Sequence, residues 1–160
     1  MRLRILLILA LLMLSGITAP SPENTTDPEH PFAKHLASLY IKYLNAAKEG
    51  DVSSALDKMI SEYAAMSSVI TPELLKGMSA DELDPLTAQF VKVDASKNIA
   101  RLFYQKIGQD LKIWQAIVFK LESDKWKIAK IVRYSRDMES EEDGLAILLE
   151  DTNTFFLEEN

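Results

Sequence analysis

The chain has 160 residues, of which 24 are acidic and 18 basic, giving a net charge of −6; 48% are hydrophobic. That length suits one domain with one core. There is no cysteine and there are two histidines, which excludes disulfides, thiolate metal centres and thiol nucleophiles.

In chain order, Arg2 and Arg4 precede an unbroken apolar run from Ile5 to Leu14, and Ser15, Gly16, Ala19 and Pro20 follow. A basic start, an apolar run and small residues predict a secretory signal peptide over residues 1–19. The run falls short of the ~20 residues needed to cross a bilayer. The mature protein is therefore expected to be exported, periplasmic or secreted, with no stable membrane anchor after processing. Leu14-Ser15-Gly16 begins like a bacterial lipobox, but Ile17 stands where the lipid-bearing cysteine would be. Residues 20–30 read as a polar tether, in which Asn24-Thr25-Thr26 has the pattern of a glycosylation acceptor.

Phe32, Leu36, Leu39, Tyr40, Tyr43, Leu44 and Ala47 recur at three- and four-residue spacing. They predict an amphipathic helix that starts near Asp27-Pro28 or His30-Pro31 and ends at Gly50. Asp51 can cap a second helix with the stripe Val52, Ala55, Leu56, Met59, Ile60 and Tyr63. Thr71-Pro72-Glu73 opens a short third helix, and Ser79-Ala80-Asp81-Glu82 fits a capping box for one more turn.

From Leu86 the period becomes two, predicting strands near 86–94, 97–107, 111–122 and 125–135 with turns at 94–97, 108–110 and 122–125. In the third strand Leu111, Ile113, Ile117, Phe119 and Leu121 share one face, and Trp114, Ala116 and Val118 the other. In the fourth, Trp126, Ile128, Val132 and Tyr134 are expected to share a face. Short connections make neighbouring strands antiparallel, so the class is α+β: N-terminal helices on an antiparallel meander.

Tyr43-Leu44-Asn45-Ala46-Ala47-Lys48-Glu49-Gly50-Asp51, and the late hairpin Phe119-Lys120-Leu121-Glu122-Ser123-Asp124-Lys125-Trp126-Lys127-Ile128 with its Trp-x-Ile strand, carry a resemblance. Over residues 31–135 the chain resembles the nuclear-transport-factor-2-like, or cystatin-like cone, superfamily. The resemblance implies a curved sheet wrapped around a long helix, forming a cone over residues 31–136 with a pocket at its open end. It implies exported bacterial binding or accessory domains on one side. On the other it implies ketosteroid-isomerase-like and dehydratase-like enzymes that use Asp, His and Tyr inside the cone. A homodimer through the sheet is a further implication. A fold this widely shared does not fix a function.

Acid–base chemistry needs a titratable group held from water with a partner in reach. The candidates are His35 on the first helix and Asp94 at a strand end, read first as a turn residue. Tyr40 and Tyr43 lie on the buried helical stripe, and Tyr104 on a strand. The strand interiors are mainly Ile, Leu, Phe, Val and Trp, with Gln105 and Gln115 as polar exceptions. That favours non-enzymatic capture of a small apolar ligand or a protein partner, with Tyr40, Tyr43, Tyr104 and Trp114 lining an aromatic pocket. Two alternatives stand beside it. One is a small lyase or isomerase with His35 or Asp94 as base, and the other an inhibitor or immunity-like protein. His30 and His35 are five apart and no Glu-x-x-His pattern or glycine-rich phosphate loop is present, so no metal or cofactor is expected.

Charge divides sharply along the chain. Residues 20–91 carry −6, residues 92–136 carry +7, and residues 137–160 have nine acidic and no basic residues. A basic strand half suggests an acidic partner, and no recognised stacking motif points to nucleic acid. Within the acidic tail, Ser140-Glu141-Glu142-Asp143 can cap a helix with the stripe Leu145, Leu148, Leu149 and Thr152, followed by Phe155 and Phe156. Those apolar residues predict that 140–157 docks on the body, apolar stripe inward.

Overall fold

The computed structural model describes residues 20–157; the signal-peptide reading concerns residues 1–19 and lies outside them. Helix α1 spans Pro31–Glu49. His30 precedes it, its Nδ1 accepting the Phe32 N–H at 3.3 Å, and Pro31 sits where a missing N–H costs nothing. Gly50 ends the helix with φ 78°, and its N–H turns back to the carbonyls of Ala46 and Ala47. Phe32, Leu36, Tyr40, Tyr43, Leu44 and Ala47 are buried along one stripe.

The second helix is shorter than its apolar stripe. Asp51 caps α2, Val52–Leu56, by accepting from the Ser54 N–H at 3.0 Å. The chain then leaves helical geometry: Ile128 N–H donates to Lys58 C=O at 2.8 Å, and Ile60 N–H donates to Ile128 C=O at 3.0 Å. An edge strand with open backbone groups outcompetes the continuation of a helix here. One further turn, α3, covers Ser61–Ala64. Helix α4, Pro72–Ser79, is capped by Thr71, whose Oγ1 accepts from Leu74 N–H at 3.2 Å.

Four strands follow: β1 Gln89–Ala95, β2 Ile99–Ile107, β3 Leu111–Glu122 and β4 Lys125–Asp137. They form one antiparallel sheet in the order β1-β2-β3-β4. The β3–β4 turn uses Ser123 and Asp124, both left-handed at φ 48° and 62°, the geometry that matches the twist of a two-residue hairpin. Asp94 lies within β1 and not in the turn after it. The stretch read as a tether is pinned to the β1 edge: Thr25 exchanges backbone bonds with Val93 at 3.0 and 2.7 Å, and Asn24 Oδ1 accepts from Ala95 N–H at 2.6 Å.

The inner face carries Val93, Ala100, Leu102, Tyr104, Ile117, Phe119, Trp126 and Ile128 against α1. Strict alternation would add Val132 and Tyr134 to Trp126 and Ile128, and the structure corrects this. The register steps from Phe119↔Ile128 to Val118↔Lys130, leaving Ala129 as the extra residue of a bulge. One inserted residue inverts every later side chain. Val132 and Tyr134 therefore pack on the outer face with Trp114 and Phe103, while Ile131 stays with the inner core.

The tail docks on that outer face. Helix α5, Gly144–Thr152, is capped by Asp143 and not by Ser140, Asp143 Oδ1 accepting the Leu145 N–H at 3.0 Å. Leu148 is wholly buried with Phe103, Trp114 and Ala116, and Leu145 and Leu149 pack at the margin. A Cβ on Gly144 would lie 2.2 Å from Trp114 Cε3, so only glycine lets the helix sit so close. A last turn, α6 Thr154–Leu157, brings Phe155 and Phe156 onto Ile60, Ile99, Val118 and Ala129.

Candidate ligand-binding cleft

Between α4 and β1 the chain crosses the inner face of the sheet. The capping box expected at Ser79–Glu82 does not form: α4 ends at Ser79, and the Glu82 side chain turns inward to α1. Tertiary partners decide the matter. Tyr43 O–H donates to Glu82 Oε1 at 3.3 Å, and Tyr40 O–H is shared between Glu82 Oε2 at 3.2 Å and Leu83 C=O at 3.0 Å. Gln115, wholly buried on β3, donates through Nε2 to the Tyr40 oxygen at 2.7 Å and accepts the Leu83 N–H on Oε1 at 2.9 Å. The Leu83 N–H fixes which end of the amide is oxygen. The Leu83 N–H and C=O and the Gln115 amide, all buried against the apolar sheet, thereby have partners, as burial demands.

Burial dominates the electrostatics of this cluster. It pushes the Glu82 carboxyl up to about 7, although the tyrosine hydroxyls, and Arg133 and Lys48 at longer range, favour its ionised form. The Tyr40 and Tyr43 hydroxyls are held well above the usual phenol range, first by burial and then by the Glu82 charge. Neither ring loses its proton near neutral pH, so both remain donors. The rings stack with centroids 6.2 Å apart.

Glu82 borders two clefts, one on each side of the crossing segment. A cleft of ≈ 490 Å³ is walled by Tyr43, Met59, Tyr63, Met78 and Ile131, with Glu82 and Gln115 at its base. A second, ≈ 510 Å³, opens toward the β2–β3 turn past Leu83, Leu111 and Ile113. Asp81 and Arg133 line both, and they are joined by a 3.4 Å ion pair and by an Arg133 bond to the Asp81 carbonyl. Bulge and crossing segment cooperate here, since the bulge is what turns Ile131 and Arg133 to the inner side.

Of the residues singled out in the sequence, Tyr40 and Tyr43 come together at this site. Tyr104 does not join them; it is buried in the core edge-on to Phe90, ring centroids 6.2 Å apart, and burial lifts its hydroxyl to about 12. Trp114 lies on the opposite face beneath α5, beside Tyr134 at 6.1 Å. Asp94 also projects to that face, paired with Lys92 at 3.0 Å and Arg101 at 3.4 Å. His35 lines a separate groove of ≈ 390 Å³ with Leu39, Trp126 and the lysines of β4, and burial and then Lys42 lower its pKa. No described carboxylate or tyrosine reaches it by hydrogen bond. Among the described residues no group of three His, Asp or Glu could hold a metal.

Sequence reasoning missed Glu82, because a capping box is a sufficient local explanation for it. Gln115 left a visible signal as a lone amide in the apolar centre of β3. Arg101, buried on the outer face, left none.

Helices laid on the inner face of a four-stranded antiparallel meander form the α+β arrangement that the nuclear-transport-factor-2-like resemblance implies. No family model matches the chain, and no curated protein does. Among solved structures it is similar to an NTF-2-like protein of unknown function from Silicibacter pomeroyi DSS-3, at 19% identity and a TM-score of 0.41, covering 65% of this chain and 98% of that one. That likeness carries no functional argument; the cleft must speak for itself.

Proposed function

We propose that the protein is an exported binding module that captures a small, largely apolar molecule in the cleft beside Glu82. The observation that carries this reading is the cleft's construction. Apolar and polarisable walls (Tyr43, Met59, Tyr63, Met78, Ile131) surround a polar base, Glu82 and Gln115, held in place before any ligand arrives. A mostly apolar hollow with a few fixed polar groups is the usual form of a small-molecule site. Methionines adapt to varied shapes, and the preset base avoids an ordering cost on binding. Export rests on the charge, apolar run and small residues of the first 19 positions.

A lyase or isomerase remains the second reading, favoured by a carboxyl that lines the cleft beside two tyrosine hydroxyls and that burial raises toward the range suited to proton transfer near neutral pH. Its base would be Glu82 in place of His35 or Asp94.

Native mass spectrometry of protein purified from an exporting host tests the binding reading. Co-purified small molecules, lost in Met78→Glu while the fold is retained, support it. Ligand-free protein that fails to bind any apolar probe at the cleft overturns it. Turnover that Glu82→Gln abolishes, with binding preserved, transfers the assignment to the enzyme.

A further inference from the structure

This inference deepens the binding reading and rests on it. We propose that the cleft selects an apolar amine: a cationic head group seated at Glu82, with the apolar body running along Met59, Met78 and Ile131.

Three features point to a cation. The first is that Glu82 has no ion-pair partner within 4.0 Å among the described residues; both its oxygens are served by tyrosine O–H groups alone. A carboxyl at the base of a cleft with free lone pairs and no fixed cation is an acceptor for a ligand ammonium, and a charge-assisted bond there is stronger than a neutral one. The second is the aromatic wall. Tyr43 and Tyr63 line the same cleft, and phenol faces attract a desolvated cation. The third concerns the basic residues nearby, which are occupied elsewhere. Arg133 is bound to both the carboxylate and the carbonyl of Asp81. Lys130 also lines the cleft, but its ammonium is placed 5.6 Å over the Phe155 ring. Lys48 is paired to Asp84 at 3.3 Å. None offers a fixed site for an anionic head at the base of the cleft, where the uncommitted charged group is the carboxyl.

Isothermal titration with three probes of equal chain length, octylammonium, 1-octanol and octanoate, at pH 7.5 and 150 mM salt, tests the head-group assignment. Octylammonium is expected to bind at least tenfold more tightly than octanol, with octanoate weakest. In Glu82→Gln, which keeps an acceptor for the tyrosines, the octylammonium affinity is expected to fall to within about threefold of that of octanol. Tyr63→Leu is expected to weaken octylammonium more than octanol. Octanol binding as tightly as octylammonium, or octanoate binding best, overturns the amine assignment and leaves the binding reading intact. Failure of all three probes on folded protein overturns both.

Discussion

Each face of the sheet carries a charged group over apolar strands, Arg101 buried on the outer face and Glu82 half-buried on the inner, and the two are handled differently. On the outer face the guanidinium of Arg101, 7% exposed, is closed in by the tail: Nη1 donates to Leu149 C=O at 3.1 Å, Thr152 Oγ1 at 3.0 Å and Asn153 Oδ1 at 2.9 Å. Asp94 pairs with its other terminus, and the Phe156 ring lies 4.2 Å from its central carbon. The cation thus sits at the C-terminal end of α5, where helix carbonyls are unpaired and the dipole favours positive charge. On the inner face Glu82 has neutral hydroxyl partners and opens onto two clefts. A charge sealed by its own chain holds an element in place, whereas one left facing a hollow is available to a ligand. Outer face as structural clasp and inner face as site is the division that the comparison teaches.

The largest effect expected from disturbing the clasp comes at Gly144. Gly144→Val forces a side chain into Trp114 and lifts α5, losing the burial of Leu148. We expect about 3 kcal/mol or more off the unfolding free energy, read by urea denaturation. Amide exchange across Leu145–Leu149 should turn from slow to fast in the same variant. Unchanged protection would mean that the helix does not depend on the Trp114 contact. Because apolar contact dominates the docking, wild-type protection should persist at about 0.5 M salt, where exposed ion pairs such as Arg136–Glu142 (2.7 Å) are screened.

Arg101→Ala comes next. It strands half-buried Asp94 and leaves Thr152 and Asn153 without their donor, at a cost of about 2–4 kcal/mol. Arg101→Met, which keeps an apolar stem but removes the same hydrogen bonds and the Asp94 ion pair, should cost nearly as much, and a cost clearly below that of Arg101→Ala would contradict a clasp built on hydrogen bonding.

On the inner face, Gln115→Leu removes the partner of the Leu83 N–H and of the Tyr40 oxygen together, for about 1–3 kcal/mol. Its ligand affinity should fall as well, since the crossing segment loses its anchor. A stability loss without any affinity loss would separate the segment from the site.

The smallest effect concerns pH. A carboxyl whose pKa is about 7 folded and 4.5 unfolded binds its proton more tightly in the folded state. Its contribution is fully present below pH 4.5 and is lost as pH rises through about 7, a change of about 1–3 kcal/mol at most. Tyr40, Tyr43 and Lys48 of α1 and Arg133 of β4 act on this group and modulate the slope, with Lys48 and Arg133 themselves paired to Asp84 and Asp81. In Glu82→Gln the decline between pH 5 and 8 should flatten, as measured by chemical denaturation. A slope equal to wild type would show that another group titrates there.

Most of the architecture was legible because periodicity is local: the α1 stripe, the four strands and the docked leucines of α5 follow from spacing alone. What escaped depended on distant partners. The break after Leu56 requires an edge strand 70 residues later, the parity of Val132 requires a bulge that no single residue announces, and Glu82 needs two tyrosines from α1 to outbid its own helix cap. Tyr40 and Tyr43 were legible as a pair because they share a helical face. Trp114 and Tyr104 were not separable from them, since a strand pattern tells which residues share a face but not what covers it.

The most direct test is a methyl-labelled NMR titration of the described methionines with octylammonium. Met59 and Met78 line the cleft, and Met138 lies exposed beyond the end of β4. The account predicts saturable shifts of the Met59 and Met78 methyls, lost in Glu82→Gln at the same ligand concentration, with Met138 unmoved. Shifts confined to Met138, or none on a folded protein, would contradict it.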